Sequence, residues 1–213
     1  MRYPLIGSKV CSRSKLNEWH QRTHWLKLEA SVITEVGKDI EIQRRALQLI
    51  RKVGIRTCQK VLDFGCGSGT YAIPAAKTVS NRGKVYALDK EYGALDELQK
   101  KANSEGLTNI ELMHTSGGTE ITLATESVDV VLLFDVFHDY YFPRPDERQN
   151  LLNEIYRILK PDGFLSVYPK HIATAARGEI ENTPFKLEEE HEVPFIHDGK
   201  DLERGHILNF KKK

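Results

Sequence analysis

Cysteine is scarce in this chain: three residues among 213, Cys11, Cys58 and Cys66. An odd count without paired spacing argues against a disulfide framework and against a zinc ribbon. No run of about 18 apolar residues occurs, so no segment reads as membrane-spanning and no membrane partner is expected. The opening residues, MRYPLIGSKVCSRSK, hold no apolar stretch long enough for the core of a signal peptide, and the cytoplasm is the expected compartment. An excess of charge of one sign is missing too. Thirty-one basic residues stand against 30 acidic ones, a net of +1, which leaves no strong field to draw a nucleic acid. Lys211-Lys212-Lys213 reads as a solvated tail rather than a binding element. There is no internal repeat and no low-complexity tract.

What is present is a globular balance. Hydrophobic residues make up 40% and charged residues 29%, enough to build a sizeable core. Short apolar runs alternate with longer amphipathic stretches, the pattern of βα units around a parallel sheet. The compact runs are Lys60–Phe64, Val85–Leu88, Ile110–Met113, Val128–Phe134 and Phe164–Tyr168. Continuous apolar runs of this kind suit strands covered on both faces. Helical patterns lie between them at Thr70–Val79, Tyr92–Ser104 and Asp146–Leu159. Upstream, Ile40, Ile42, Ala46, Leu47, Leu49 and Ile50 form a helical stripe that Asp39 could cap and Gly54 could end. Pro161-Asp162-Gly163 reads as the turn before the fifth strand. Phe185–Val193 and His206–Lys212 are strand-like and too close together for a helical crossover, so they predict an antiparallel hairpin at one sheet edge. The expected fold is α/β, Rossmann-like and doubly wound, with a mostly parallel seven-stranded sheet. Residues 1–38 are expected to be a helical lid segment and 39–213 the main domain.

The informative segment is Val61–Thr70, VLDFGCGSGT. A strand ends, glycines follow at 65, 67 and 69, and a helix begins. Glycines permit positive φ and let a ligand approach the backbone, and the helix N-terminus offers free N–H groups. A plain βα turn would need one such glycine. A dinucleotide site would follow G-x-G-x-x-G, yet Thr70 takes the third place, and Asp63 would repel a pyrophosphate. G-x-G-x-G after an acidic strand end suits a ligand with an ammonium group and no phosphate, which describes S-adenosylmethionine. Asp89, at the end of the second strand, stands where a carboxylate can accept both ribose hydroxyls. An ordinary loop aspartate is the alternative for that residue taken alone.

With VLDFGCGSGT, ALDK, VDVVLLFDVFHDY and LNEIYRILKPDGFLSVY together, the chain resembles the class I S-adenosylmethionine-dependent methyltransferases. The L-K-P-D-G ending resembles their small-molecule branch, which includes the quinone-biosynthesis enzymes. The resemblance covers roughly Asp39 to Tyr168. It implies that Asp63, Gly65, Cys66, Gly67 and Gly69 line the methionine and ribose side of the cofactor. Asp89 would hold the ribose, Lys90 would lie beside the adenine, and Asp135 and Val136 would face the methionine end and the incoming acceptor. One departure stands out. The family often places an acidic residue after the third strand, where this chain has His114-Thr115-Ser116-Gly117-Gly118. Thr115 or Ser116 is expected to serve there.

The loop after the fourth strand, FDVFHDYYF, lacks the Asn/Asp-Pro-Pro-aromatic and Pro-Cys patterns of many nucleic-acid enzymes, so a small or medium-sized, partly apolar acceptor is expected. Catalysis by such an enzyme can rest on proximity, and a base is needed only if the acceptor must lose a proton. His138 is the candidate base, with packing or loop capping as the alternative. Tyr140, Tyr141 and Phe142 could wall an apolar pocket or simply cover the loop, and His171 is a second pocket candidate. His20 and His24 have a spacing that could grip zinc on a helix, but no third ligand accompanies them and no metal is expected. Trp19, Trp25 and Tyr3 could belong to the lid. A protein or RNA acceptor, and a non-catalytic cofactor-binding scaffold, are the competing functions.

Overall fold

The computed structural model describes residues 37, 40–169, 173–197 and 200–213. Contacts divide the chain into Met1–Glu41 and Ile42–Lys213, and the second unit is the one treated below. The expected lid, with Tyr3, Trp19, His20, His24 and Trp25, falls outside the described residues, as do the Asp39 cap and His171.

A helix over residues 40–52 (α1) ends at Gly54, whose φ is 98°. The Ile55 N–H reaches back to the Ile50 carbonyl at 3.2 Å, the long bond of a glycine-terminated helix end. Then follow β1 (Lys60–Phe64), α2 (Ala72–Val79), β2 (Lys84–Asp89), α3 (Tyr92–Ser104), β3 (Ile110–His114), β4 (Val128–Phe134), α4 (Pro145–Ile158), β5 (Leu159–Tyr168), α5 (Ala173–Glu181), β6 (Phe185–His197) and β7 (Lys200–Lys212). The strands form one sheet in the order β3-β2-β1-β4-β5-β7-β6. The first five are parallel, and β7 is antiparallel to both β5 and β6. This is the doubly wound architecture expected from the apolar runs.

Two apolar clusters cover the two faces of the sheet. One contains Ile50, Ile73, Val79 and Leu98 from α1, α2 and α3. The other contains Leu151, Leu152, Ile155 and Ile180 from α4 and α5. Val130, Val131, Leu132 and Leu133 are wholly buried in the centre, which explains the unbroken apolar run of β4. Asn109 ties the layers together: its buried amide donates to the Ala76 and Ser80 carbonyls at 2.9 and 2.8 Å, holding the end of α2 to the start of β3.

Three details depart from the sequence pattern. Pro161-Asp162-Gly163 does not separate α4 from the strand. It is absorbed into β5 as an irregularity, with Val128 opposite Leu159 and Val130 opposite Phe164. The residues between the two edge strands are mostly strand themselves, so the hairpin is longer and its turn shorter than the polar composition suggested. And α5 occupies a stretch to which the sequence pattern assigns no element.

Replacing Asn109 by Ala is expected to lower unfolding free energy by about 1–3 kcal/mol, because two carbonyls lose their donor in a buried site. Urea denaturation of the variant against the parent chain measures it.

Candidate active site

Strand order reverses between β1 and β4, and in open α/β sheets ligands bind in the crevice at that switch point, outside the carboxyl ends of the strands. The two loops there are in contact. A Cβ placed on Gly65 would lie 2.5 Å from Val136 Cγ2, so only glycine allows the β1 loop to pass the β4 loop. Gly65 also has φ 75°, a left-handed backbone. The Leu88 carbonyl at the end of β2 accepts the N–H groups of both Gly65 and Cys66, at 2.8 and 3.0 Å, and pins the turn.

Beside this turn lies a cavity of about 290 Å³. Gly65, Gly67, Asp89, Lys90, Thr115 and Val136, all expected from the sequence to meet a ligand, are brought together in its wall. Asp89 anchors the wall: its Oδ2 accepts the Gly67 N–H at 2.7 Å and its Oδ1 the Glu91 N–H at 2.9 Å. Each carboxylate oxygen can accept more than one bond, so capacity for a ligand's hydroxyls remains.

Other expected residues sit elsewhere. Gly69 turns its missing side chain toward Leu98 and Ile73 rather than the cavity, so it serves packing of α3. Cys66 is buried behind the turn. Ser116 lines a neighbouring polar hollow of about 440 Å³ with Glu120. Asp135 and His138 lie on the β4 loop outside the cavity lining. Glu91, Ala94, Gly117 and Gly118 also form cavity wall without belonging to any of the sequence motifs above. Of Tyr140, Tyr141 and Phe142, which could wall an apolar pocket or simply cover their own loop, Tyr141 and Phe142 line this cavity and Tyr140 does not. Phe142 is held firmly. Its ring packs 6.3 Å from Phe64, and its carbonyl accepts Arg148 Nη1 at 2.6 Å while Arg148 grips Glu179 with two further bonds.

Two carboxylates define the electrostatics. Asp63 is 2% exposed, takes the Ala72 backbone N–H, and has no partner among the described residues for Oδ2. Burial, and then the charge of Asp89, push its pKa up to about 7. Asp135 has a left-handed backbone with φ 56°, and its Oδ1 is buried without a partner among the described residues. Strain and unsatisfied buried acceptors of this kind concentrate at ligand sites. Tyr71 lies near both carboxylates and Tyr168; burial, then these neighbours, raise its pKa. Its ring stands edge-on to Phe134 at 4.9 Å.

Residues 61–163 match the family model described as a methyltransferase domain. Over that stretch, just under half of its length, and in fold, the chain is similar to S-adenosylmethionine-dependent methyltransferases. Among curated relatives, it is 27% identical over 116 residues to demethylmenaquinone methyltransferase of Geobacillus stearothermophilus, covering 54% of this chain and 47% of that protein. It is 44% identical over 57 residues to aklanonic acid methyltransferase DauC of Streptomyces sp. strain C5, covering 27% and 26%. The chain therefore spans half or less of the length of these relatives. In fold it is similar to a SAM-dependent methyltransferase from Aquifex aeolicus, with TM-score 0.63 and 23% identity over 78% of this chain and 88% of that one.

The residues of the cavity fit S-adenosylmethionine, the cofactor of the proteins that the chain resembles. A dinucleotide would bring its pyrophosphate against Asp89 and Glu91 in the wall and Asp63 behind it. A ligand carrying cationic groups, such as S-adenosylmethionine, suits the unpartnered oxygens of Asp63 and Asp135.

The raised pKa of Asp63 has a measurable consequence. In the unfolded chain its carboxyl ionises near 3.8, in the folded chain near 7. Between those values the folded state binds more protons, so stability is full below the lower value and is lost as pH rises through the upper one. The loss is expected to be on the order of 3–4 kcal/mol. Thermal and urea unfolding from about pH 4 to about pH 8 should show it in the ligand-free protein, and Asp63→Asn should remove most of that slope. A slope unchanged in the variant would refute the assignment.

Proposed function

We propose that this chain transfers a methyl group from S-adenosylmethionine to a small or medium-sized, partly apolar acceptor. The observation that carries the reading is the glycine-turned cavity at the β1/β4 switch point with Asp89 in its wall and the unpartnered oxygens of Asp63 and Asp135 nearby. When bound, the cofactor supplies an electrophilic methyl group on a sulfonium. Asp89 would accept the ribose hydroxyls, as the only carboxylate in the described wall that already bridges the β1 turn and the start of α3. Thr115, Gly117 and Gly118 would border the adenine, with backbone and hydroxyl groups in place of the family's acidic residue. Asp63 and Asp135 would offset positive charge. Phe64, Val136 and Phe142 would exclude water.

The acceptor class is supported by the small-molecule acceptors in the names of both relatives and by the apolar character of the cavity's β4 side. Positioning next to the sulfonium can supply much of the rate, since alignment of two bound reactants replaces an encounter in solution. The base role of His138 has less support from its surroundings: Nδ1 already accepts the Tyr140 N–H at 3.1 Å.

Calorimetry is expected to show S-adenosylhomocysteine binding, and Asp89→Ala to weaken it by ~1–3 kcal/mol through loss of charge-assisted hydrogen bonds. Preference for NADH would overturn the cofactor. For the acceptor, the protein is incubated with methyl-labelled cofactor and a cell extract. Label recovered in small apolar molecules supports the reading; label in protein or RNA instead, or binding with no transfer, would favour the competing functions.

A further inference from the structure

The turn after β4 is organised around one residue. The His138 carbonyl accepts the N–H groups of Tyr141 and Phe142, at 3.2 and 3.0 Å, while its imidazole Nδ1 accepts that of Tyr140 at 3.1 Å. Its own N–H is bonded to the Val136 carbonyl at 2.9 Å. Three successive N–H groups therefore converge on His138, one of them through the side chain. A side-chain acceptor for the N–H two residues on is the geometry by which asparagine and aspartate fix turns.

The turn sends its two following rings to different places. Phe142 goes inward beside Phe64. Tyr141 goes to the rim of the cavity, 44% exposed, with the Lys90 ammonium 5.8 Å from its ring centre. Lys90 leaves the end of β2, which β1 separates from β4 in the sheet, and both residues line the cavity. An ammonium at that distance from a tyrosine face is attracted to it. Lys90 and Tyr141 thus meet along the cavity lining. The Tyr141 ring also lies 4.9 Å from the His138 ring, so the imidazole supports it from behind as well as through the backbone.

We propose that His138 is a positioning residue: its imidazole accepts the Tyr140 N–H and so holds Tyr141 in the lining of the cofactor cavity, where the ring and Lys90 retain the bound cofactor. The proposal rests on the cofactor reading above. It also bears on the acceptor chemistry. A ring nitrogen that accepts an N–H carries no proton, so Nδ1 is engaged in the turn and could take a proton only by releasing it. The loop-holding role and a base role at Nδ1 exclude each other.

The test is S-adenosylhomocysteine affinity and dissociation rate in a set of variants, with thermal unfolding of each ligand-free protein as a control for folding. His138→Ala is expected to weaken binding roughly 3–10-fold, mostly through faster dissociation, as one hydrogen bond and its supported ring are lost. His138→Asn should restore affinity to within about twofold of the parent, since its side-chain carbonyl can accept the same N–H. Tyr141→Phe should bind like the parent, while Tyr141→Ala should match His138→Ala. The double alanine variant should bind no more weakly than either single one, because both remove the same contact. Unchanged affinity in His138→Ala would overturn the proposal, as would Asn failing to rescue or additive losses in the double variant. Failure of the parent protein itself to bind would refute the cofactor reading, an outcome distinct from any ranking of the variants.

Discussion

The β1 turn can pass the β4 loop only because Gly65 has no side chain where Val136 stands. That contact decides much else. It brings together two loops that leave neighbouring strands on either side of the reversal in strand order. It leaves Gly67 free to present its backbone beside Asp89, which accepts the Gly67 N–H. The Leu88 carbonyl then fastens the turn to β2, so three strand ends share one rigid wall. A side chain at position 65 would have to push one loop away, and Val136 itself lines the cavity. Packing and ligand geometry are the same constraint here.

The second organising feature is charge left uncompensated. A buried carboxylate oxygen without a donor is costly, and folded proteins keep few of them. Here two lie near Tyr71, on the ends of β1 and β4. Asp63 meets the cost partly by holding its proton and partly through the Ala72 N–H at the start of α2. Asp63 Oδ2 and Asp135 Oδ1 thus keep acceptor capacity at the ends of two neighbouring strands, where a cationic or hydrogen-bond-donating group could use it.

Much of the architecture was legible because both of its signals are local. Continuous apolar runs marked β1 to β5, and glycines at 65, 67 and 69 with Asp89 marked the turn and its partner. What escaped was set by three-dimensional neighbours. Gly69 looks like its companions in the sequence, yet Leu98, a residue from another helix, turns it into a packing position. Tyr141 could be placed in an aromatic wall but not assigned to the cofactor cavity, because its partner Lys90 is distant in the chain. The hairpin's length was hidden by polar residues that suit loops in composition and strands in register. The α5 helix was missed because ATAARGEIE has little apolar periodicity; burial of Ala176 and Ile180 against α4 and β6 supplies what the pattern lacks.

Among the described residues the sheet ends at β6, which pairs with β7 alone. An edge strand presents backbone groups that its own sheet does not pair, and such edges are where sheets of separate molecules can join. This one carries Glu188, Glu189, Glu190 and Glu192, all exposed, and a register shift between Leu187 and Glu189. Two copies meeting edge to edge would bring these acidic side chains together and meet a bend where flat pairing is required. Much of that charge is engaged within the protein, Glu188 with Lys211 at 3.5 Å and Glu190 with His206 at 2.8 Å, so a strand laid beside β6 would meet a row of ion pairs rather than an apolar edge, a pattern by which edge strands discourage pairing.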